Sequence, residues 1–211
     1  MPDFDKLCER MVNRQIVARG VHDPRVLQAM RDVRRHEFVD AARQPFAYED
    51  RPLPIGLGQT ISQPYIVAWM SELLRIKVGD SVLEIGTGCG YQTAVLAKLA
   101  SHVYSIELID ALSQQAALNL TRAGATNVSL RVGDGFDGWP EHAPYQCIMT
   151  AAAPAEVPGN LTRQLDVGGR LVLPVGERGY QQMTRVTKRE DGSLQTEQLG
   201  LVAFVPMLRG G

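Results

Sequence analysis

Residues 82–97 read VLEIGTGCGYQTAVLA, an apolar run that ends in three glycines spaced two apart and passes straight into helical periodicity. That pattern marks a buried parallel strand turning tightly into a helix. Gly86, Gly88 and Gly90 carry no Cβ, so the backbone is free to take positive φ and a ligand can lie against bare peptide. A helix opening near Gly90 leaves unpaired N–H groups and a positive dipole end, which suit an anionic or polar ligand.

The surroundings of the turn select among ligands. A dinucleotide fingerprint reads G-x-G-x-x-G, whereas this turn reads Glu84-x-Gly86-x-Gly88-x-Gly90, with a carboxylate inside the strand. A second strand ends in Glu107, 21 positions after Gly86, where a carboxylate can grip a ribose diol through charge-assisted hydrogen bonds. The combination predicts an adenosine-containing ligand, against the competing reading of a purely structural turn. Glu84 stays open between a ligand role and a hydrogen bond inside the fold. Cys89, inside the turn, has a nucleophile reading and a simpler one as a small residue that fits; the simpler one is adopted.

At 211 residues and 45% hydrophobic content the chain is long enough for one α/β domain with a full core. Its parts are read as N-terminal helices and a binding loop over 1–62, a cofactor-binding core over 63–176 and a C-terminal hairpin over 177–211. Basic and acidic residues nearly cancel, 22 against 23, which provides no broad field for nucleic acid or an anionic membrane. Cys8, Cys89 and Cys147 lie far apart without C-x-x-C spacing, so neither a disulfide framework nor a metal site is expected. The charged N-terminal stretch has no apolar h-region and no run approaches ~18 apolar residues, which predicts a cytoplasmic protein.

In chain order, Leu7, Met11, Val12 and Ile16 predict an amphipathic helix stopping at Gly20, and Asp23-Pro24 caps and opens a second. The cluster Arg31, Arg34, Arg35 and His36 is read as a solvated helix face. Residues 46–62 are too rich in proline and glycine for a regular element and read as a shaped loop, with Pro64 then opening a helix. Ser62 is positioned to cap that helix. Strands near 81–85, 102–107, 128–132 and 145–150, with helices to about 99 and over 110–123, alternate as in a parallel sheet covered by helices on both faces. Gly133-Asp134-Gly135 closes one strand where ligands bind in open α/β sheets, although an Asx turn would also explain Asp134. A strand over 170–175 and an Asp191-Gly192 hairpin predict a mixed C-terminal edge.

Leu53-Pro54-Ile55-Gly56, the run from Gly58 through Gln59-Thr60-Ile61-Ser62-Gln63-Pro64 to Tyr65, the Glu84 to Tyr91 turn, Gly133-Asp134-Gly135, Gly168-Gly169, Leu173-Pro174-Val175-Gly176 and Phe204-Val205-Pro206 together resemble the bacterial protein-L-isoaspartate O-methyltransferases. The glycine turn marks only the wider S-adenosylmethionine-dependent class; the stretch from Gln59 to Pro64 is the specific part. Leu57 departs from the family, where a polar residue is expected, and Cys89 stands where serine is common.

The resemblance implies a Rossmann-like S-adenosylmethionine-dependent methyltransferase fold with an N-terminal helical addition and an antiparallel C-terminal edge. It implies methyl transfer from S-adenosyl-L-methionine to the free carboxylate of L-isoaspartyl residues in damaged proteins and peptides, giving an ester that collapses to a succinimide and begins repair. By the same resemblance Ser62 is the active-site residue, reversing the capping reading. Thr60, Ile61, Ser62, Glu84, Gly86, Thr87, Gly88, Glu107, Leu108, Asp134 and Gly135 are expected to bind cofactor. Glu107 would take the ribose and Asp134 the adenine amino group. Ile55, Gly56, Thr150, Ala151, Ala152 and Val205 are expected at the peptide. The expected partners are isoaspartyl proteins and peptides, without nucleic acid or membrane, acted on by a monomer. An RNA or metabolite methyltransferase, a nicotinamide-dependent oxidoreductase and a non-catalytic binding module are the competing readings; neutral charge, glycine spacing and the Gln59 to Ser62 loop oppose the first two.

Overall fold

The computed structural model describes residues 2–210. Helix α1 (Phe4–Met11) is capped by the Asp3 carboxylate, which accepts from the Lys6 N–H, and runs into a wider π turn at Val12–Ile16 and a tighter turn at Val17–Arg19 before Gly20 ends it at φ 92°. The single amphipathic helix expected there is thus three helical geometries on one path, the first two turned inward through Met11, Val12 and Ile16. Helix α2 (Pro24–Asp32) follows the sequence closely: Asp23 Oδ1 accepts from the backbone of Arg25 at 2.8 Å and of Val26 at 3.3 Å, the expected cap with proline at the first helical position.

Only half of the expected solvated face is there: Arg34 is exposed and Arg31 is half-buried, each paired with a carboxylate of α1. The helix ends at Asp32, and Arg35 and His36 turn into the protein, 0% and 7% exposed. Arg35 donates from Nε to the Ala47 carbonyl at 2.7 Å and lies over the Tyr91 ring at 4.9 Å, while His36 stacks on Phe4. Charge in a sequence signals solvent only when no aromatic face and carbonyl are available to receive it.

Residues 46–62 also hold more regular structure than expected. Strands β1 (Leu53–Gly56) and β2 (Gln59–Ile61) pair antiparallel around the two-residue turn Leu57-Gly58, both at positive φ. Pro54 is tolerated because this two-stranded sheet is all edge. Helix α3 (Pro64–Leu74) opens on proline as predicted.

The main sheet comprises β3 (Ser81–Ile85), β4 (His102–Glu107), β5 (Val128–Val132), β6 (Tyr145–Thr150), β7 (Leu165–Val175), β8 (Gln181–Lys188) and β9 (Leu194–Val202), in the order β5-β4-β3-β6-β7-β8-β9. β3 to β7 are mutually parallel, and β8 and β9 add the antiparallel edge that the Asp191-Gly192 turn predicts. β3 continues to β4 on one side and β6 to β7 on the other, so the strand order reverses between β3 and β6, where open α/β sheets bind ligands at their carboxyl ends.

The two faces are covered unequally. One carries α1, α2, α3, α4 (Tyr91–Ala97) and α5 (Asp110–Arg122) over a continuous core that includes Met11, Met30, Leu74, Val95, Leu96 and Leu120. The other carries only the short α6 (Gly159–Arg163), which sequence periodicity misses, and tight turns holding Trp139, over Leu83, Ile106, Tyr145 and Ile148. β7 begins at Leu165, ahead of the 168–169 glycine pair that the sequence places before the strand. The extra length is a bulge: Gly169 lies so close to the Asp166 carbonyl that a Cβ would stand 2.8 Å from it.

Candidate active site

The turn after β3 delivers backbone to the switch point. Gly86 and Gly88 take φ of 94° and 56°, and the Gly86 N–H bonds the Ile106 carbonyl at 2.8 Å, locking the turn to β4. A Cβ at Gly86 would meet the Ala151 Cβ at 3.3 Å, so β6 closes against bare peptide here. Gly90 serves a different end: its absent Cβ would press on Leu120 of α5 at 3.1 Å, making it a packing glycine.

Glu84 anchors the turn from below. It is completely buried, with Oε2 accepting from the hydroxyls of Thr93 (2.5 Å) and Ser105 (2.6 Å) and Ser105 in turn bonded to Thr87 at 2.6 Å. Its second oxygen, Oε1, is buried with no partner among the described residues. Burial pushes its acid up to about 7 against these hydroxyl bonds and with some help from the charge of Glu107. The open question over Glu84 thus finds it below the ligand cleft, holding strand, turn and helix in one network, with Thr87 beside it. Cys89 is buried as well, and burial raises its thiol to about 11, so it is no nucleophile.

Glu107 closes β4 with its carboxylate gripping the turn: Oε2 accepts from Gly88 N–H at 2.8 Å and Oε1 from Ile109 N–H at 3.0 Å. A carboxylate offers about four acceptor positions, so two remain for a diol. Asp134 accepts from Phe136 N–H at 2.8 Å, the Asx-type turn, and its Oδ2 also takes the Gly210 N–H at 3.1 Å, with Arg209 at 3.8 Å. Gly135 is obligatory, since a Cβ there would lie 2.1 Å from Ile85 Cγ2.

These elements enclose a cavity of about 1050 Å³, at the upper end for small-molecule clefts. Of the expected site residues, Thr60, Ser62, Gly86, Gly88, Glu107, Leu108, Gly135, Ala151, Ala152 and Val205 line it. Glu84, Thr87, Ile61, Ile55, Gly56, Thr150 and Asp134 do not reach its wall. Ile61 is buried, and Ile55 packs where a Cβ of Gly88 would be, at 3.4 Å. Thr150 is turned onto the Ala152 carbonyl at 2.7 Å. Gln63, not Ser62, is the N-cap of α3, and no described side chain caps the helix, so the serine hydroxyl is not spent on capping.

Several wall residues are not singled out by the sequence: Arg19, Tyr65, Trp69, Gln181, Leu201 and Met207. Only one pair among them leaves a local signal, since Tyr65 and Trp69 stand four apart on α3 and stack at 5.8 Å.

Residues 6–210 match the family model described as Protein-L-isoaspartate(D-aspartate) O-methyltransferase (PCMT). The Protein-L-isoaspartate O-methyltransferase of Methanoculleus marisnigri is 54% identical over 95% of this chain and 90% of its own, and that of Methylorubrum extorquens 50% identical over 100% and 92%. Among solved structures, a protein-L-isoaspartate O-methyltransferase superposes with a TM-score of 0.86 at 29% identity, over 96% of this chain and 66% of the other. The Plasmodium falciparum beta-aspartate methyltransferase (PCMT), in complex with S-adenosyl-L-homocysteine, does so at 0.83 and 23% identity over 100% of both and supports the fold. The chain belongs to the protein-L-isoaspartate(D-aspartate) O-methyltransferase family.

Proposed function

We propose that the cavity performs methyl transfer from S-adenosyl-L-methionine to the free carboxylate of L-isoaspartyl residues in damaged proteins and peptides. The observation that carries this reading is the Ser62 side chain, free of capping duty, on the wall of the same cavity as the bare turn of Gly86 and Gly88 and the Glu107 carboxylate. The donor set fits the cofactor: peptide without side chains for its methionine end, a carboxylate with spare acceptor positions for its ribose, and the apolar Leu108 with Gly135 for its base. Asp134 reads the adenine amino group once the tail residues now bonded to it move aside. Thr60 closes the hairpin side, with Ile61 buried behind it.

When bound, the cofactor supplies an electrophilic methyl whose carbon–sulfur bond breaks as the new oxygen–carbon bond forms. The accepting carboxylate is ionised near neutral pH, so no side chain has to take a proton from it. Alignment is the work left to the protein, and positioning of this kind supplies roughly 7–11 kcal/mol. Ser62 donates its hydroxyl hydrogen to one carboxylate oxygen and aims the other along the transfer line. Ala151 and Ala152 leave the space in which the isoaspartyl backbone lies.

Among the described residues no helix is long and apolar enough to cross a membrane. We read the chain as a cytoplasmic monomer, one methyltransferase unit acting on proteins and peptides without a nucleic-acid partner. Transfer of labelled methyl to a peptide containing L-isoaspartate, with none to the matched L-aspartate peptide, is the expected result; label in both or in neither refutes the assignment.

A further inference from the structure

The cavity has a second end that the methyl donor does not account for. Beyond Thr60 and Ser62 its wall passes to Tyr65, Ile66 and Trp69 of α3 on one side and Leu201, Val202 and Phe204 at the end of β9 on the other. Tyr65, Ile66 and Trp69 fall at helical spacing on the face that continues away from Ser62. Tyr65 and Trp69 stack nearly parallel, at 17°, and Arg19 lies flat over Tyr65 at 3.5 Å while bonded to Asp50 at 2.9 Å. That contact fixes the Tyr65 ring, and Arg19 is itself part of the cavity wall.

Across from Trp69 stands Gly200. A Cβ there would stand 3.7 Å from Trp69 Cη2, at ordinary contact distance from the edge of the indole. Leu201 beside it is 75% exposed. A half-open slot with apolar side chains on both walls, the cationic Arg19 and Arg178 on the same cavity wall, and a polar reaction centre beside it is a recognition surface rather than leftover core. Among the described residues Glu107, deep in the cleft, is the only carboxylate on the cavity wall.

Resting on the isoaspartyl reading above, we infer that Trp69, Tyr65 and Leu201 form a subsite for a large apolar or aromatic side chain of the substrate, flanking the isoaspartyl residue. The helix sets the register. Trp69 stands five residues beyond the start of α3 at Pro64, about 7.5 Å at the helical rise, with Ser62 two residues further back. An extended peptide covers the helical part alone in two to three residues at about 3.3 Å each. The chain therefore selects among damaged sites by a residue at least two or three positions from the lesion.

The test uses the full-length protein and isoaspartyl peptides identical except for phenylalanine or serine two and three positions to either side of the lesion. The phenylalanine peptide is expected to show a KM about ten-fold lower with kcat unchanged, the size of one aromatic pair formed on binding. Trp69→Ala removes the preference. Because Trp69 also packs on Tyr65, Leu201→Ser at the exposed wall is the second variant: it lowers the ratio to about three-fold or less. Equal KM for both peptides in the native protein, or a preference kept in both variants, overturns the subsite while leaving the isoaspartyl reading intact. If no isoaspartyl peptide is methylated and none quenches the fluorescence of Trp69 in a Trp139→Phe protein, the isoaspartyl reading fails and the subsite with it.

Discussion

The glycine-turn end of the cavity and the α3–β9 end are made of different materials. At the first, the ligand surface is backbone: Gly86, Gly88 and Gly135 hold positions where a Cβ would strain the chain or strike a neighbour, Glu107 clamps that backbone by accepting from the Gly88 and Ile109 N–H groups, and Glu84 braces it from below through the hydroxyls of Thr93 and Ser105. At the second, the surface is side chains of residues 19, 65, 69 and 201, brought together by packing alone. Backbone built this way tolerates almost no substitution, because each change meets fixed atoms. Side-chain walls can be altered one residue at a time, so specificity can vary at one end while the chemistry at the other stays fixed.

The largest expected effect breaks the first end. Gly135→Ala places a methyl 2.1 Å from Ile85 Cγ2, and Ile85, buried in β3, cannot retreat without opening the core; the change is expected to cost more than ~3 kcal/mol. A thermal melt within a degree or two of the native protein would show that this end is softer than its packing implies.

Next comes pH. Glu84 is fully buried and its acid is raised to about 7 from an unfolded value of 4.5. For a raised acid, the native state holds its proton where the unfolded chain has lost it, so the stabilisation is complete below pH 4.5 and is lost as pH rises through 7. The loss amounts to roughly 3 kcal/mol. Glu84→Gln, neutral at every pH, is expected to flatten the decline in melting temperature between pH 5 and 8.5; an equally steep decline in the variant assigns it to other groups.

At the junction of the two ends, Ser62→Ala is expected to lower kcat by about 100-fold, in the range of one lost orienting hydrogen-bond donor, with S-adenosylmethionine affinity nearly unchanged. Comparable losses in both would move Ser62 from the reaction to the cofactor site.

The same contrast explains what is legible in the sequence. The turn at 82–97 is legible because three glycines, a strand carboxylate and a helix start are local, and their geometry is dictated by φ and hydrogen bonding. Glu107 is legible by register, since it sits where a parallel strand ends. Asp23-Pro24 and Asp191-Gly192 are legible for equally local reasons. Trp69 and Leu201 are not, because 132 positions separate them and only the docking of α3 against the β9 edge unites them. Arg35 misleads for a related reason: its charge argues for water, while the Ala47 carbonyl and Tyr91 face that receive it are supplied by distant segments. Asp134 is half legible. Its Asx turn and its place at the end of β5 can be read locally, but the tail donors Arg209 and Gly210 that occupy its carboxylate cannot.

The smallest effect sharpens the comparison at the hairpin between the two ends. Leu57 and Gly58 form the β1–β2 turn with φ of 51° and 73°, the two-residue geometry that favours Asn-Gly because both central residues are left-handed. Leucine in that region costs ~1–2 kcal/mol, and this side chain, 60% exposed, recovers little by packing. The polar residue that the resemblance leads one to expect here therefore has a backbone reason. Leu57→Asn is expected to raise stability by about 1 kcal/mol, a melting shift of ~2–4 °C for a domain of this size, with kcat and peptide KM unchanged. A gain in stability accompanied by a higher KM for apolar-flanked peptides would give Leu57 a second reason to exist: the strained turn would be holding a leucine at the cavity mouth for substrate, and the side-chain-built end of the site would extend across the hairpin.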